Sequence, residues 1–241
     1  MNRIRYSVLI AVLLVGFSSV TDCIAQFRQL PIASLPSVNN SVSLNNQRTA
    51  AETLQLPFWD DFSSGQLSPL LWETQGVKTS FTLGLAPPSL GVVVLDGVDN
   101  NGQAYSTTRL EQGEGDQLTS MSIALSQTSA TNDVYLSFYW QAGGKGERPD
   151  DSDALELYFL DSEGKWELVW SQEGGDDVAS DQFVQVLLPV AEQFHYEAFQ
   201  FKFQQSGRLS GPFDTWVLDY IYLNKGRDAT DRYPADRALT Q

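Results

Sequence analysis

Cysteine is almost missing from this chain of 241 residues; the only one, Cys23, lies close to the N-terminus. No disulfide framework can form in the body of the chain, so stability must come from a packed core. Histidine is as scarce. His195 stands alone, which excludes a histidine-based zinc site, and no G-x-S-x-G motif is present. In "EQFHYEAF" it reads as a surface or packing residue rather than a base. Positive charge is short too: 15 Lys and Arg face 30 Asp and Glu, for a net charge of −15. Nucleic acid and anionic membrane surfaces are poor partners for such a chain. Solubility is the plain explanation of the acidity and cation binding the sharper one.

Long apolar runs are confined to the start. Arg3 and Arg5 precede "SVLIAVLLVGF", a run of secretory-signal length that falls short of a membrane span. Cys23 and Ala25 supply small residues at −3 and −1, so residues 1–25 read as a signal peptide cleaved before Gln26. The alternative is a lipoprotein acylated at Cys23, which Asp22 disfavours. Cleavage makes the chain one charge more negative and leaves neither a cysteine nor a transmembrane span. Residues 26–55 are rich in Ser, Asn, Gln and Thr, bury too little to offset ordering entropy, and read as a disordered arm. Residues 225–241 read as a polar tail.

What is abundant lies between, from residue 56 to 224. Short runs of alternating apolar and polar residues are separated by Gly, Pro, Asp, Asn and Ser, the pattern of an antiparallel β-sandwich. "FQFKFQQ" sets Phe199, Phe201 and Phe203 on one face and Gln200, Lys202 and Gln204 on the other. "DALELYFLD" alternates Leu155, Leu157 and Phe159 against Glu156 and Tyr158. "KWELVWSQ" aligns Trp166, Leu168 and Trp170, and the first and last of these are assigned to the core. "DVYLSFYWQ" and "WVLDYIYL" are apolar on both faces, as central strands are. "LDGVDNNGQAYS" lacks the residue order of an EF-hand loop, and its glycines and "DNNG" run predict a tight hairpin.

The order of these patterns, from "FWDDFSSG" and "LLW" through "PSLGVVVLDGVDNNGQAYS", "LTSMSIAL", "VYLSFYW", "DALELYF", "WELVWSQEGG" and "FQFKF" to "DTWVLDYIYL", resembles MAM-like and concanavalin A-like jelly-roll modules of secreted Bacteroidota proteins. The resemblance implies an all-β antiparallel sandwich and a type 9 secretion or gliding context. Animal MAM domains carry paired cysteines and this chain does not, so receptor-style adhesion partners do not carry over. No type 9 sorting domain is recognisable at the C-terminus, which favours the periplasm or outer membrane over ordinary cargo.

Chemistry-bearing candidates are few. Jelly-roll glycosidases supply their acids from one strand as E-x-D-x-x-E, and no such triplet occurs. Asp153 and Glu156 are three apart, hence on opposite faces of a strand. "GGKGERPDD" is no phosphate loop and reads as a mobile connection. Calcium is the stronger prospect. Asp219 shares an apolar face with Val217 and Ile221, a costly place for a carboxylate unless it is bonded or bound to a cation. Asp61, from the first strand, can neighbour it in a jelly roll, and the resemblance implies a structural cation there. The competing reading has Asp219 satisfied by backbone N–H groups or an arginine. Trp140, Tyr139, Trp59 and Trp72 are candidates for stacking on sugar rings.

The expectation is a non-enzymatic, exported recognition or scaffold protein of a bacterial envelope, in the periplasm, at the outer membrane or outside the cell. Its partner would be an envelope protein. A carbohydrate-binding module is the alternative and a glycoside hydrolase the least favoured. Calcium, held by Asp61 and Asp219, is the only cofactor expected.

Overall fold

Period-two alternation builds the molecule. In the computed structural model, residues 53–128 and 133–232 are described. The expected signal segment, the arm up to residue 52 and the tail from 233 lie outside them. Eleven strands occur among the described residues: β1 (Phe58–Asp60), β2 (Trp72–Gln75), β3 (Lys78–Ser80), β4 (Val92–Leu95), β5 (Gln112–Ser120), β6 (Tyr135–Ala142), β7 (Ala154–Leu160), β8 (Trp166–Glu173), β9 (Val184–Pro189), β10 (Phe201–Arg208) and β11 (Trp216–Asn224). "VAEQFHYEAF" contains only a 3-10 turn at Glu192–Phe194. No helix among the described residues is long and apolar enough to cross a membrane.

The strands form two antiparallel sheets packed as a β-sandwich of jelly-roll type. One has the order β3-β4-β11-β6-β9, and β1 joins the edge of β11 that β4 also uses. The other has the order β2-β5-β10-β7-β8. The inner faces meet through aromatic rings. Phe138 on β6 sits edge-on to Phe203 on β10 at 4.7 Å, and Phe58 on β1 meets Phe201 at 5.4 Å. Such fully buried rings each contribute about 2–3 kcal/mol through area removed from water.

Strands β11 and β6 are central, and their outer face is covered as well, which explains why both read as apolar on two sides. The β3–β4 loop lies over it. Leu83 and Phe183 pack on Val92, Val94 and Val217. Gln141, fully buried, clamps the loop by accepting from Leu85 N (2.8 Å) and donating to Leu85 O (3.2 Å).

Three register shifts interrupt the ladders; one lies between β5 and β10 at Gln204–Ser206, and the other two reset faces read from the sequence. On β8, Trp170 opposes Leu157 while Leu168 opposes Tyr158, so Val169 is the extra residue. Trp170 therefore points into the core, against Phe138, while Trp166 and Leu168 turn to the outer face. The core assignment of Trp166 is corrected accordingly, because one inserted residue exchanges the faces of everything beyond it. On β11 the register shifts between Asp219 and Tyr222, with Tyr220 at φ +47°. Val217 and Asp219 share the outer face as expected, but Ile221 belongs to the inner core.

The ends differ from the outline drawn from composition. Leu54, assigned to the arm, pairs with Ile123 and packs on the core. Arg227, assigned to the tail, is buried and donates to the carbonyls of Tyr135 and Tyr222. The "GGKGERPDD" connection is tied down rather than free: Gly143 N donates to Thr215 O, Lys145 N to Leu83 O, and Arg148 to Asp176 O and Ser180 Oγ. In "LDGVDNNGQAYS", Asp99 Oδ1 accepts from Asn101 N and Gln103 N, and Val98 bridges Ala104. The "AYSTT" that follows forms no strand.

Candidate functional site: a groove on the five-stranded sheet

The outer face of the five-stranded sheet is where polar and aromatic side chains converge. The register sets them in rows. Glu73 on β2 opposes Thr119 on β5, which opposes Lys202 on β10, then Tyr158 on β7 and Leu168 on β8. The next row runs Gln75, Gln117, Gln204, Glu156 and Ser171. On β5, β7 and β10 each of these neighbours a buried apolar residue (Leu118, Leu155, Leu157, Phe159, Phe201 or Phe203), which is why the sequence turns it outward. Glu73, Gln75, Gln117, Thr119 and Lys202 from these rows, with Thr74, Trp166 and Gln200, line a groove of about 310 Å³.

Within it the side chains hold one another. The Lys202 ammonium lies 5.0 Å from the ring centre of Tyr158 and 5.2 Å from that of Trp166, and donates to Gln204 Oε1 at 2.8 Å. Burial pulls the Lys202 amine below its ordinary range, and Glu114 and Glu156 oppose that shift. Glu156 accepts from Ser206 Oγ (2.6 Å) and from the Tyr158 hydroxyl (2.9 Å). Burial and that carboxylate push the Tyr158 phenol up to about 12, so it stays a hydroxyl donor at neutral pH. The result is a rigid band of amides, hydroxyls and one cation, bordered by two aromatic rings.

The residues singled out from sequence fall elsewhere. Trp140 and Trp72 are buried. Trp140 lies between Trp170 and Trp216, and Trp72 Nε1 donates to Asp60 Oδ2 at 2.8 Å. Trp59 and Tyr139 lie on the outer face of the six-stranded sheet, where Trp59 is 45% exposed and meets Tyr220 edge-on. These four do not gather at one surface. Asp61 and Asp219 do come together, through Ser89. Ser89 N donates to Asp219 Oδ2 (2.8 Å), and its hydroxyl lies 2.7 Å from Asp219 Oδ1 and 2.6 Å from the Asp61 carbonyl. The Asp61 carboxylate accepts from Ser63 N. Burial raises the Asp219 carboxyl to about 6, against the lowering effect of Ser89. His195 Nε2 contacts Val190 O at 2.9 Å, a packing role.

Fold and groove together define a jelly-roll β-sandwich module with a polar, aromatic-edged groove on one sheet. Solved structures that it resembles include the family 61 carbohydrate-binding module TmCBM61 in complex with β-1,4-galactotriose, at 14% identity and TM-score 0.42, over 68% of this chain and 94% of that one. The CBM22-1 xylan-binding domain of Paenibacillus barcinonensis Xyn10C is similar at 13% identity and TM-score 0.41, over 74% of this chain and 99% of its own. So is the K1 cleaved adhesin domain of Lys-gingipain from Porphyromonas gingivalis, at 15% identity and TM-score 0.45, over 70% and 97%. No protein-family model matches the chain, and no curated protein does.

Proposed function

We propose that the chain is an exported, non-catalytic glycan-binding module whose ligand lies in the groove across the outer face of the five-stranded sheet. The observation that carries this is the band of Gln75, Gln117, Gln200 and Lys202 along one groove, with Trp166 beside it. Amides and hydroxyls match the alternating donors and acceptors of sugar hydroxyls, and an aromatic ring matches their apolar C–H faces. Glu73, Glu114 and Glu156 outnumber Lys202 around this surface, so the preferred ligand is a neutral polysaccharide rather than a uronate. Glu73 on β2 and Glu156 on β7 lie on strands three spacings apart, about 14 Å between backbones. Among the described residues, exposed large apolar side chains are scattered over β1, β8 and three inter-strand loops rather than gathered on this sheet face.

Native affinity electrophoresis against neutral and acidic polysaccharides tests the proposal. Retardation by a neutral polymer is expected, and Trp166→Ala should weaken it about 10- to 100-fold while Trp59→Ala leaves it unchanged. A chain that no polysaccharide retards, but that crosslinks to one envelope protein through this face, would overturn the glycan reading.

A further inference from the structure

At one end of the sandwich, away from the groove, three carboxylates converge without a sequence motif to announce them. Asp150 and Asp153 come from the β6–β7 loop, and Asp214 from the loop before β11. One oxygen from each lies within 4.8 Å of the others. Oxygens bound to a single calcium at about 2.3–2.6 Å cannot stand more than about 5 Å apart. The cluster meets that limit.

What distinguishes it from a chance grouping of surface acids is burial without partners. Asp153 and Asp214 are 0% and 1% exposed, and the Oδ1 atom of each has no hydrogen-bond donor. Their other oxygens are used: Asp153 Oδ2 accepts from Asp150 N, and Asp214 Oδ2 from Arg208 N. Two carboxylates side by side can be reconciled only by a shared proton or a cation. The backbone makes room for them. A Cβ on Gly207 of β10 would stand 3.1 Å from both Asp153 Oδ1 and Asp214 Oδ2. A divalent cation would answer both acids at once. Among the described residues, the guanidinium that touches the cluster, Arg208, takes Asp150 Oδ2 at 2.8 Å and leaves Asp153 Oδ1 and Asp214 Oδ1 without a donor. Outside lies an open cavity of about 660 Å³ whose charged lining is Glu147, Arg148, Asp150, Asp151 and Asp176, a net acidic surface that Asp150 shares with the cluster.

We infer that Asp150, Asp153 and Asp214 hold a divalent cation of the calcium class, which locks the β6–β7 loop to the strand pair β10–β11. All-oxygen ligation with flexible loop donors suits calcium better than magnesium or a transition metal. The site is separate from both the groove and the Asp61–Asp219 pair, where Ser89 already occupies both oxygens of Asp219.

The full chain, stripped with EGTA and titrated with calcium, provides the test. Melting is followed by circular dichroism and direct binding by terbium luminescence, with Trp216, two residues from Asp214, as sensitiser. Calcium at a hundredfold excess over its Kd should raise the melting temperature by roughly 5–10 °C. Asp214→Asn should abolish that response and the luminescence. Asp150→Asn, a change at an exposed residue that leaves folding intact, should weaken terbium and calcium binding about tenfold or more. Equal melting temperatures in calcium and EGTA with no sensitised luminescence would overturn the inference. So would a calcium response that survives Asp150→Asn undiminished or is lost instead in Asp219→Asn.

Discussion

Asp116 shows how much one side chain can organise in this fold. It is fully buried, and Oδ2 accepts from Asp96 N (2.6 Å) and Gly97 N (3.1 Å) while Oδ1 accepts from the Tyr105 hydroxyl (2.7 Å). A single carboxylate on β5 thus anchors the "LDGVDNNGQAYS" connection from inside. Burial outweighs those bonds and raises its carboxyl from 3.8 to about 6. The folded state then holds this proton more tightly than the unfolded chain does. Between about pH 4 and pH 6, stability from this group falls as pH rises, and above that window the cost is complete, about 3 kcal/mol. Urea unfolding at pH 4 and pH 7 should show wild type losing about that much more stability than Asp116→Asn. Parallel losses would discount the titration of Asp116. Asp116→Ala, which strands three donors, should destabilise by about 3 kcal/mol or more at either pH. None of this was legible beforehand, since an aspartate in "GEGDQL" carries no local sign of its partners.

Among elements, the β3–β4 loop and the register shifts in β8 and β11 matter most. The loop is held over the six-stranded sheet by Gln141 and Ser89 and by a small apolar patch. Gln141→Ala removes both clamping bonds to Leu85 and should cost about 1–3 kcal/mol. Amide exchange should then accelerate over residues 82–86 and not in β10, and unchanged exchange there would show that the apolar patch alone suffices. The bulge at Val169 brings Trp166 to the groove, and the shift in β11 separates Ile221 from Asp219. Strand identity was readable from alternation in "FQFKFQQ" and "DALELYFLD", and the faces of Lys202, Glu156 and Tyr158 were read correctly. The face of Trp166 was not. A bulge leaves no mark in a period-two pattern, because the partner strand, not the bulged one, defines which residue is extra.

For the molecule as a whole, stability rests on rings that interlock between the sheets. Phe203 touches both Phe138 across the interface and Phe201 along its own strand. Phe203→Ala should therefore lose about 3–5 kcal/mol, read as an earlier urea midpoint with an unchanged m-value. A loss under 1 kcal/mol would mean that the sandwich collapses around the gap. The two candidate sites lie in different parts of this frame, so removing Trp166 should leave the calcium response intact and removing Asp214 should leave the groove's outward residues in place.

By itself the sequence determined the local quantities. These are the β-sandwich class, the alternation within strands such as β7 and β10, and the outward faces of Lys202, Glu156 and Tyr158. Burial alternation and composition are properties of neighbours along the chain, and they survive without knowledge of the fold. Only the tertiary structure decided which outward residues line up across five strands, and that Asp150, Asp153 and Asp214 meet while Trp140 and Trp72 are enclosed. Those outcomes depend on register, bulges and loop closure between segments far apart in the chain, 130 residues in the case of Ser89 and Asp219. Pairing between such distant segments is a long-range energy, and no short window of sequence contains it.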